Sequence, residues 1–408
     1  MNRRHLLMLG AGGFLGALLS RYSRADGPVR PPKAKAIVLL WMNGGPSHLE
    51  TWDPKPGHAN GGPTKAIKTS LAGLSVSENM PHIAQMASKL TVIRGMSSKE
   101  GNHQRAQYLM HTGYAPTPTV VHPSLGGWVS KKLGAPTNGL PAFVSLGGPS
   151  FGAGFLGVSN GPFVVQKAGA HPDNVAPETA GDRFARRQAL LAQAEQRFAQ
   201  QSASPMVDER RAVYGRAVSL MGSRDVGAFD VDDETQAVKT DYGDTDFGRG
   251  CIVARRLVTS GVRFVEVVQD GWDTHQNNFE RTKAQLGIVD PAVAALVKDL
   301  DQRGLLASTL VVWLGDFGRT PRINGNEGRD HYPQAWSCAL AGGGTKPGLV
   351  GGTDAGGEHV AGTAYGVPDL LATCAKLVGL DPREEAMSPV GRPIAITDGG
   401  QPIAPAMA

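Results

Sequence analysis

Two hydrophobic periodicities take turns along this chain. Short apolar runs rich in β-branched residues, each stopped by glycine or a polar cluster, occupy residues 36–41, 90–94, 142–146, 263–268, 309–314 and 335–341, as expected of strands buried on both faces. Between them apolar positions recur at helical spacing, predicting helices from Pro81 (capped by Asn79), from 101–113, over 124–132, 183–200, 207–221 and 247–259, and over 367–378. Asp290-Pro291 is read as a capping pair that starts one further helix, ended by Gly304. Strands alternating with helices predict an α/β fold, and the helix between the 263–268 and 309–314 strands makes a right-handed crossover by default.

The polar residues at the strand ends carry the chemical signal. Asn43-Gly44-Gly45-Pro46 closes the first strand and leads into Ser47 and His48; the loop 269–278 after another strand holds Asp273 and His275; Gly315 stops a third strand and delivers Asp316. Ligands of open α/β sheets bind just outside the carboxyl ends of strands, so these three loops are expected to share one edge. Asp330-His331 then precede the next strand. Carboxylates and imidazoles of this kind suit Zn²⁺ or Mn²⁺, or Ca²⁺ where oxygen ligands dominate. The predicted metal set is Asn43, Asp273, His275, Asp316, Asp330 and His331. His103 and Arg105 fall on the first turn of the 101–113 helix, where backbone N–H groups favour an anion, and with Ser47 they complete the candidate catalytic residues.

Residues 1–25 read as an export signal: Arg3-Arg4 precede an apolar stretch too short for a comfortable span, and Ser23-Arg24-Ala25 offers small residues to a signal peptidase. The paired arginines are twin-arginine-like, which implies a periplasmic or extracellular protein without a stable membrane span once the signal is removed. Residues 26–35 form a linker, 36–400 one α/β domain, and about 178–245 a helical insert. Lys and Arg (41) barely outnumber Asp and Glu (36) and are scattered, which argues against a nucleic-acid partner. Cys251, Cys338 and Cys374 are odd in number and widely spaced, excluding a disulfide framework or a Cys-x-x-Cys site.

The motifs NGGPSHLETWDPKP at Asn43, GNHQRAQYLMHTGY at Gly101, GWDTHQNNFER at Gly271, GDFGRTP at Gly315 and GRDHYPQAWSCALAGGG at Gly328 resemble the domain of unknown function 1501 family of exported bacterial proteins, which is similar in turn to the alkaline phosphatase and sulfatase superfamily. The resemblance implies an alkaline phosphatase-like fold, a large, mostly parallel sheet sandwiched between helices with a helical insert, and a metal-dependent hydrolase acting on a small anionic ester, phosphate or sulfate. Under it Asp316 corresponds to the aspartate of the superfamily's Asp-His-Gly signature, His331 to the later histidine, and Asp273 with His275 to its Asp-to-His metal pair. Phe317 stands where the signature has histidine, Asn43 is uncharged, and no hydroxyl or thiol marks the nucleophile position. These departures leave a second expectation open, a non-catalytic binding or assembly protein on the same fold.

Overall fold

The computed structural model describes residues 34–175, 179, 181–201 and 205–408. The expected export signal at residues 1–25 lies outside them, as does most of the 26–35 linker. Eight strands form one sheet: β1 (Ala36–Met42), β2 (Leu90–Met96), β3 (Phe143–Leu146), β4 (Phe163–Val165), β5 (Phe264–Gln269), β6 (Thr309–Gly315), β7 (Trp336–Gly342) and β8 (Gly348–Val350). Their order is β8-β2-β7-β6-β1-β5-β3-β4. β7 runs antiparallel to both of its neighbours, and every other pairing is parallel. The fold class is therefore the expected one, α/β with a large, mostly parallel sheet.

The helices are α1 (Pro81–Met86), α2 (His103–Thr112), α3 (Leu125–Leu133), α4 (Asp182–Gln201), α5 (Pro205–Met221), α6 (Gln236–Asp241), α7 (Asp246–Thr259), α8 (Asn278–Gln302) and α9 (Val367–Leu377). Because side chains alternate across a strand, β1 serves two cores at once. Val38, Leu40 and Met42 pack with α1, α7 and α8 on one face, while Ile37, Leu39 and Trp41 pack with α3, α9 and Met110 of α2 on the other. A strand enclosed by helices on both sides reads as a continuous apolar run, which is why β1 and β6 were legible. The segment between β4 and α7 holds α4, α5 and α6. Among the described residues no helix is long and apolar enough to cross a membrane. All three cysteines are buried free thiols, Cys374 pushed up to about 12 by its burial.

One predicted element boundary fails. Asp290-Pro291 does not start a helix; α8 runs unbroken from Asn278 to Gln302 with Pro291 inside it. The Asp290 carboxylate instead caps a neighbour: it accepts from the backbone N–H of His82 (3.0 Å) and Ile83 (2.8 Å) at the start of α1 and meets His82 Nδ1 at 2.7 Å. Asn79 does not cap α1, whose N-cap Met80 offers no side-chain acceptor. A cap supplied from a residue some two hundred positions away has no local signature. Asp290→Ala leaves two first-turn donors without their partner, that of Ile83 buried, and is expected to cost about 2 kcal/mol, the upper end for a lost cap; urea unfolding checks this, and an unchanged midpoint would show that the cap is dispensable.

Topology explains the convergence of the polar loops. β1, β2, β3, β5 and β6 all end at one edge, and antiparallel β7 begins there, so residues 316–335 leave that edge and return to it. Asn43 is tied to the β5 loop by two backbone bonds, its N–H to Gln269 O (2.9 Å) and Trp272 N–H to its own O (3.2 Å). The approach is close enough to demand glycine: Gly44 has φ +112°, and a Cβ there would stand 2.5 Å from the Asp273 nitrogen.

Candidate metal centre

Three imidazoles converge on one carboxylate oxygen. Asp273 Oδ1 lies 3.4 Å from His103 Nε2, 3.2 Å from His275 Nε2 and 3.4 Å from His331 Nε2. Tetrahedral ligands at bonds of ~2.0 Å stand roughly 3.3 Å apart, so these separations match those of donors around a single ion. The donor atoms of His103, Asp273 and His331 all fall within 4.8 Å of one another.

Each ring is held from behind. His103 Nδ1 pairs with Asp316 Oδ2 at 2.6 Å, His275 Nδ1 with Asp330 Oδ1 at 2.7 Å, and His331 Nδ1 with the Gly101 carbonyl at 2.7 Å. Acceptors on the Nδ1 side draw the proton there and leave Nε2 bare, the arrangement typical of metal-ligating histidines. His103 Nε2 is buried without a hydrogen-bond partner, and the Nε2 atoms of His275 and His331 approach to 2.9 Å. Two bare lone pairs at that distance repel unless a proton or a cation lies between them.

The electrostatics follow. Hydrogen bonding to Asp316 raises the pKa of His103. Burial lowers that of His331, with Arg319 and the neighbouring imidazoles adding to the effect. Burial alone would raise Asp273, but the Arg319 guanidinium donating at 2.6 Å outweighs it and holds the carboxyl at about 2.

The six predicted ligands occupy different places. Asp273, His275 and His331 present donor atoms at the centre. Asp316, expected as a ligand, is fully buried and committed elsewhere: Gly44 N–H donates to Oδ1 at 3.2 Å, and Oδ2 takes His103 and Gln107 Nε2 (3.0 Å). A carboxylate one residue beyond a buried strand points into the structure, so it lies behind an imidazole. Asp330 stands behind His275 in the same way. Asn43 accepts from Gln107 Nε2 at 2.8 Å and from Trp41 Nε1 at 3.3 Å, and donates to Asp270 Oδ1 at 2.6 Å, again beside the centre.

Of the predicted catalytic residues, His103 faces the centre. Arg105 is paired at both arms with Glu100 (2.9 and 2.7 Å), and Ser47 is buried with its hydroxyl unpaired. His48 turns Nε2 to the Gly357 carbonyl at 2.9 Å, so the two make no serine–imidazole pair. The arginine at the centre is Arg319, wholly buried and spent on Asp273 and the carbonyls of Gly44, Gly45 (2.9 Å) and Arg329 (3.2 Å). Gln107 went unrecognised, although its spacing four residues after His103 puts both on one helix face. The Phe317 ring packs against His103 (4.9 Å between centroids) and His331 (4.7 Å).

A family model described as "Protein of unknown function (DUF1501)" matches residues 34–407. No curated protein matches. Solved structures with a distant likeness include the PsFucS1 sulfatase from Pseudoalteromonas sp., with 13% identity and a TM-score of 0.40 over 86% of this chain and 68% of that one. Another is BT1596, a 2-O GAG sulfatase, with 11% identity and a TM-score of 0.42 over 92% and 74%. A mutant of TAB5 alkaline phosphatase with Mg bound has 12% identity and a TM-score of 0.38 over 86% and 100%.

Proposed function

The chain belongs to the DUF1501 family, and from that premise and the geometry of its centre we propose that it is an exported, metal-dependent hydrolase of small anionic esters, phosphate or sulfate. The observation that carries the reading is the meeting of three bare imidazole nitrogens at Asp273 Oδ1, each ring oriented from its far side. His103, Asp273 and His331 would hold the ion, with His275 as a fourth donor. One carboxylate oxygen and three imidazoles are borderline donors that suit zinc better than manganese, and calcium, which prefers oxygen, least. When bound, such an ion supplies Lewis acidity, polarising an ester oxygen and lowering the pKa of a water.

The protein's own groups do the rest. Asp316, Asp330 and the Gly101 carbonyl keep the Nδ1 protons in place and the Nε2 lone pairs aimed inward. Arg319 keeps Asp273 ionised under all but strongly acid conditions. Gln107 bridges Asn43 and Asp316, so the middle of α2 is tied to the turn after β1 and to the end of β6. With no serine, threonine or cysteine in these contacts, water is the nucleophile this reading calls for.

The test is elemental analysis of the exported protein together with turnover of aryl phosphates and aryl sulfates, before and after chelation. One ion per chain and turnover lost on chelation and in Asp273→Asn are expected. Turnover that survives chelation sinks the metal reading. A metal-loaded protein inert across the panel points to the second reading, a binding or assembly protein, which the apolar Phe317 wedged against two of the imidazoles favours. Export is tested separately: cleavage after Ala25 predicts a mature chain beginning at Asp26, and mass spectrometry of the secreted protein reads it. If Arg3→Lys combined with Arg4→Lys is still exported, the twin-arginine route is wrong.

A further inference from the structure

A second cavity opens at the same sheet edge, on the α7 and α8 side. It has a volume of ≈ 320 Å³ and lies at the carboxyl ends of β3 and β5, walled by Gln166 and Ala168 beyond β4, the first turn of α7, and Gln269 and Asp270. That volume is in the range of small-molecule sites, and the position is where open parallel sheets bind ligands. No lysine or arginine lines it. Asp246 is neutralised by Arg249 at 2.5 Å, and the Gln269 amide nitrogen is spent on Gln285 at 2.8 Å, which leaves the Gln269 oxygen and the Asp270 carboxylate as acceptors.

The cavity is wired to the metal centre. Asp270 Oδ1 accepts from Asn43 at 2.6 Å, Asn43 accepts from Gln107 at 2.8 Å, Gln107 donates to Asp316 at 3.0 Å, and Asp316 holds His103 at 2.6 Å. Asp270 also lies three residues before Asp273 in the same loop. Two acceptors and the Gln166 amide, set among the apolar side chains of Leu146, Phe247, Val267, Val268 and Ile288 with no cation in the lining, disfavour an anion and receive hydroxyl groups.

We propose that this cavity is the leaving-group subsite: it takes the polyhydroxyl, sugar-like alcohol portion of an ester whose anionic group sits at the imidazole centre. The assignment as a leaving-group site rests on the hydrolase reading; binding itself does not require turnover. Gln166 and Ala168 supply wall and space, and Asp270 with Gln269 supply acceptors.

The experiment is calorimetric titration of the full exported chain, metal content determined, with glucose, glucosamine and gluconate. Saturable binding of glucose or glucosamine with none of gluconate is expected; a preference for glucosamine assigns the acceptors to an amino sugar, for glucose to a neutral one. Gln166→Leu and Ala168→Leu, both remote from the metal donors, are expected to weaken binding at least tenfold while metal content stays the same. Failure to bind either sugar, equal binding of gluconate, or unaltered binding in both variants overturns the proposal. Sugar binding by a protein that hydrolyses no ester keeps the polyol site and sinks the hydrolase reading. Hydrolysis of aryl and sugar esters with the same preference in both variants as in the parent does the reverse.

Discussion

Arg329→Met is expected to destabilise the protein by about 3–5 kcal/mol, the usual cost of leaving one partner of a buried ion pair without the other. Arg329 and Glu50 are almost completely buried and form a two-armed bond, Nε to Oε2 at 2.9 Å and Nη2 to Oε1 at 2.7 Å. The guanidinium also donates to the carbonyls of Thr320 (3.0 Å), Pro321 and Asn60 (2.6 Å), and Asn278 donates to Glu50 Oε2 at 2.9 Å. One side chain thus fastens together the loop after β1, the start of α8 and the loop that delivers Asp330 and His331. Methionine keeps much of the volume but strands the Glu50 charge. Adding Glu50→Gln should recover part of the loss by removing that charge, so the double mutant is expected to be more stable than Arg329→Met alone. Urea unfolding of the parent, Arg329→Met, Glu50→Gln and the double mutant decides it; Arg329→Met within about 1 kcal/mol of the parent, the range of a surface ion pair, would mean that water relieves the site and the clamp is weak.

Legibility in the sequence tracked how local each interaction is. β1, β5 and β6 announced themselves because burial on both faces produces an unbroken apolar run, and the loops at their ends could be placed on one edge by topology alone. Asp273, His275 and His331 were visible as polar residues in those loops. The difference between a donor and the group behind it was not, because it depends on side-chain direction across separate loops: Asp316 faces His103 from another strand, and Asp330 faces His275 from a segment fifty-five residues on. Arg105 reads as an anion holder from its place on the first turn of α2, yet it is paired with Glu100, and the arginine at the centre is Arg319, buried against backbone carbonyls. Asp290 misled for the same reason, since its two N–H partners belong to α1. Residue type and order point to a candidate metal centre here; assigning roles within it needs the contacts.

The assignment of roles makes the second large effect specific. His103→Ala removes a donor, whereas Asp316→Asn leaves the donor and removes the charge behind it, so the two variants should fail differently. Orienting partners of metal-bound imidazoles are worth about 10- to 100-fold in metal affinity, and loss of the ligand itself should exceed that. Their pH profiles should separate further. In the metal-free protein the raised pKa of His103 means that its bond to Asp316 contributes stability below the ordinary histidine value of about 6.5 and that this is lost as pH rises through the higher folded value. Metal requires a bare Nε2, so zinc affinity should climb with pH through that folded value, one proton leaving His103 per ion bound. Asn at 316 can still accept from Nδ1 but no longer favours the imidazolium, so its uptake curve should shift to lower pH while its plateau affinity falls. His103→Ala should show no such titration and bind zinc weakly throughout. Competition against a chromophoric chelator from about pH 5.5 to 8.5, a window bracketing that ordinary value, measures both. Zinc binding in Asp316→Asn with the parent's midpoint and plateau would show that the carboxylate neither orients nor charges the ring, and His103 would then be held by its packing against Phe317 and His331.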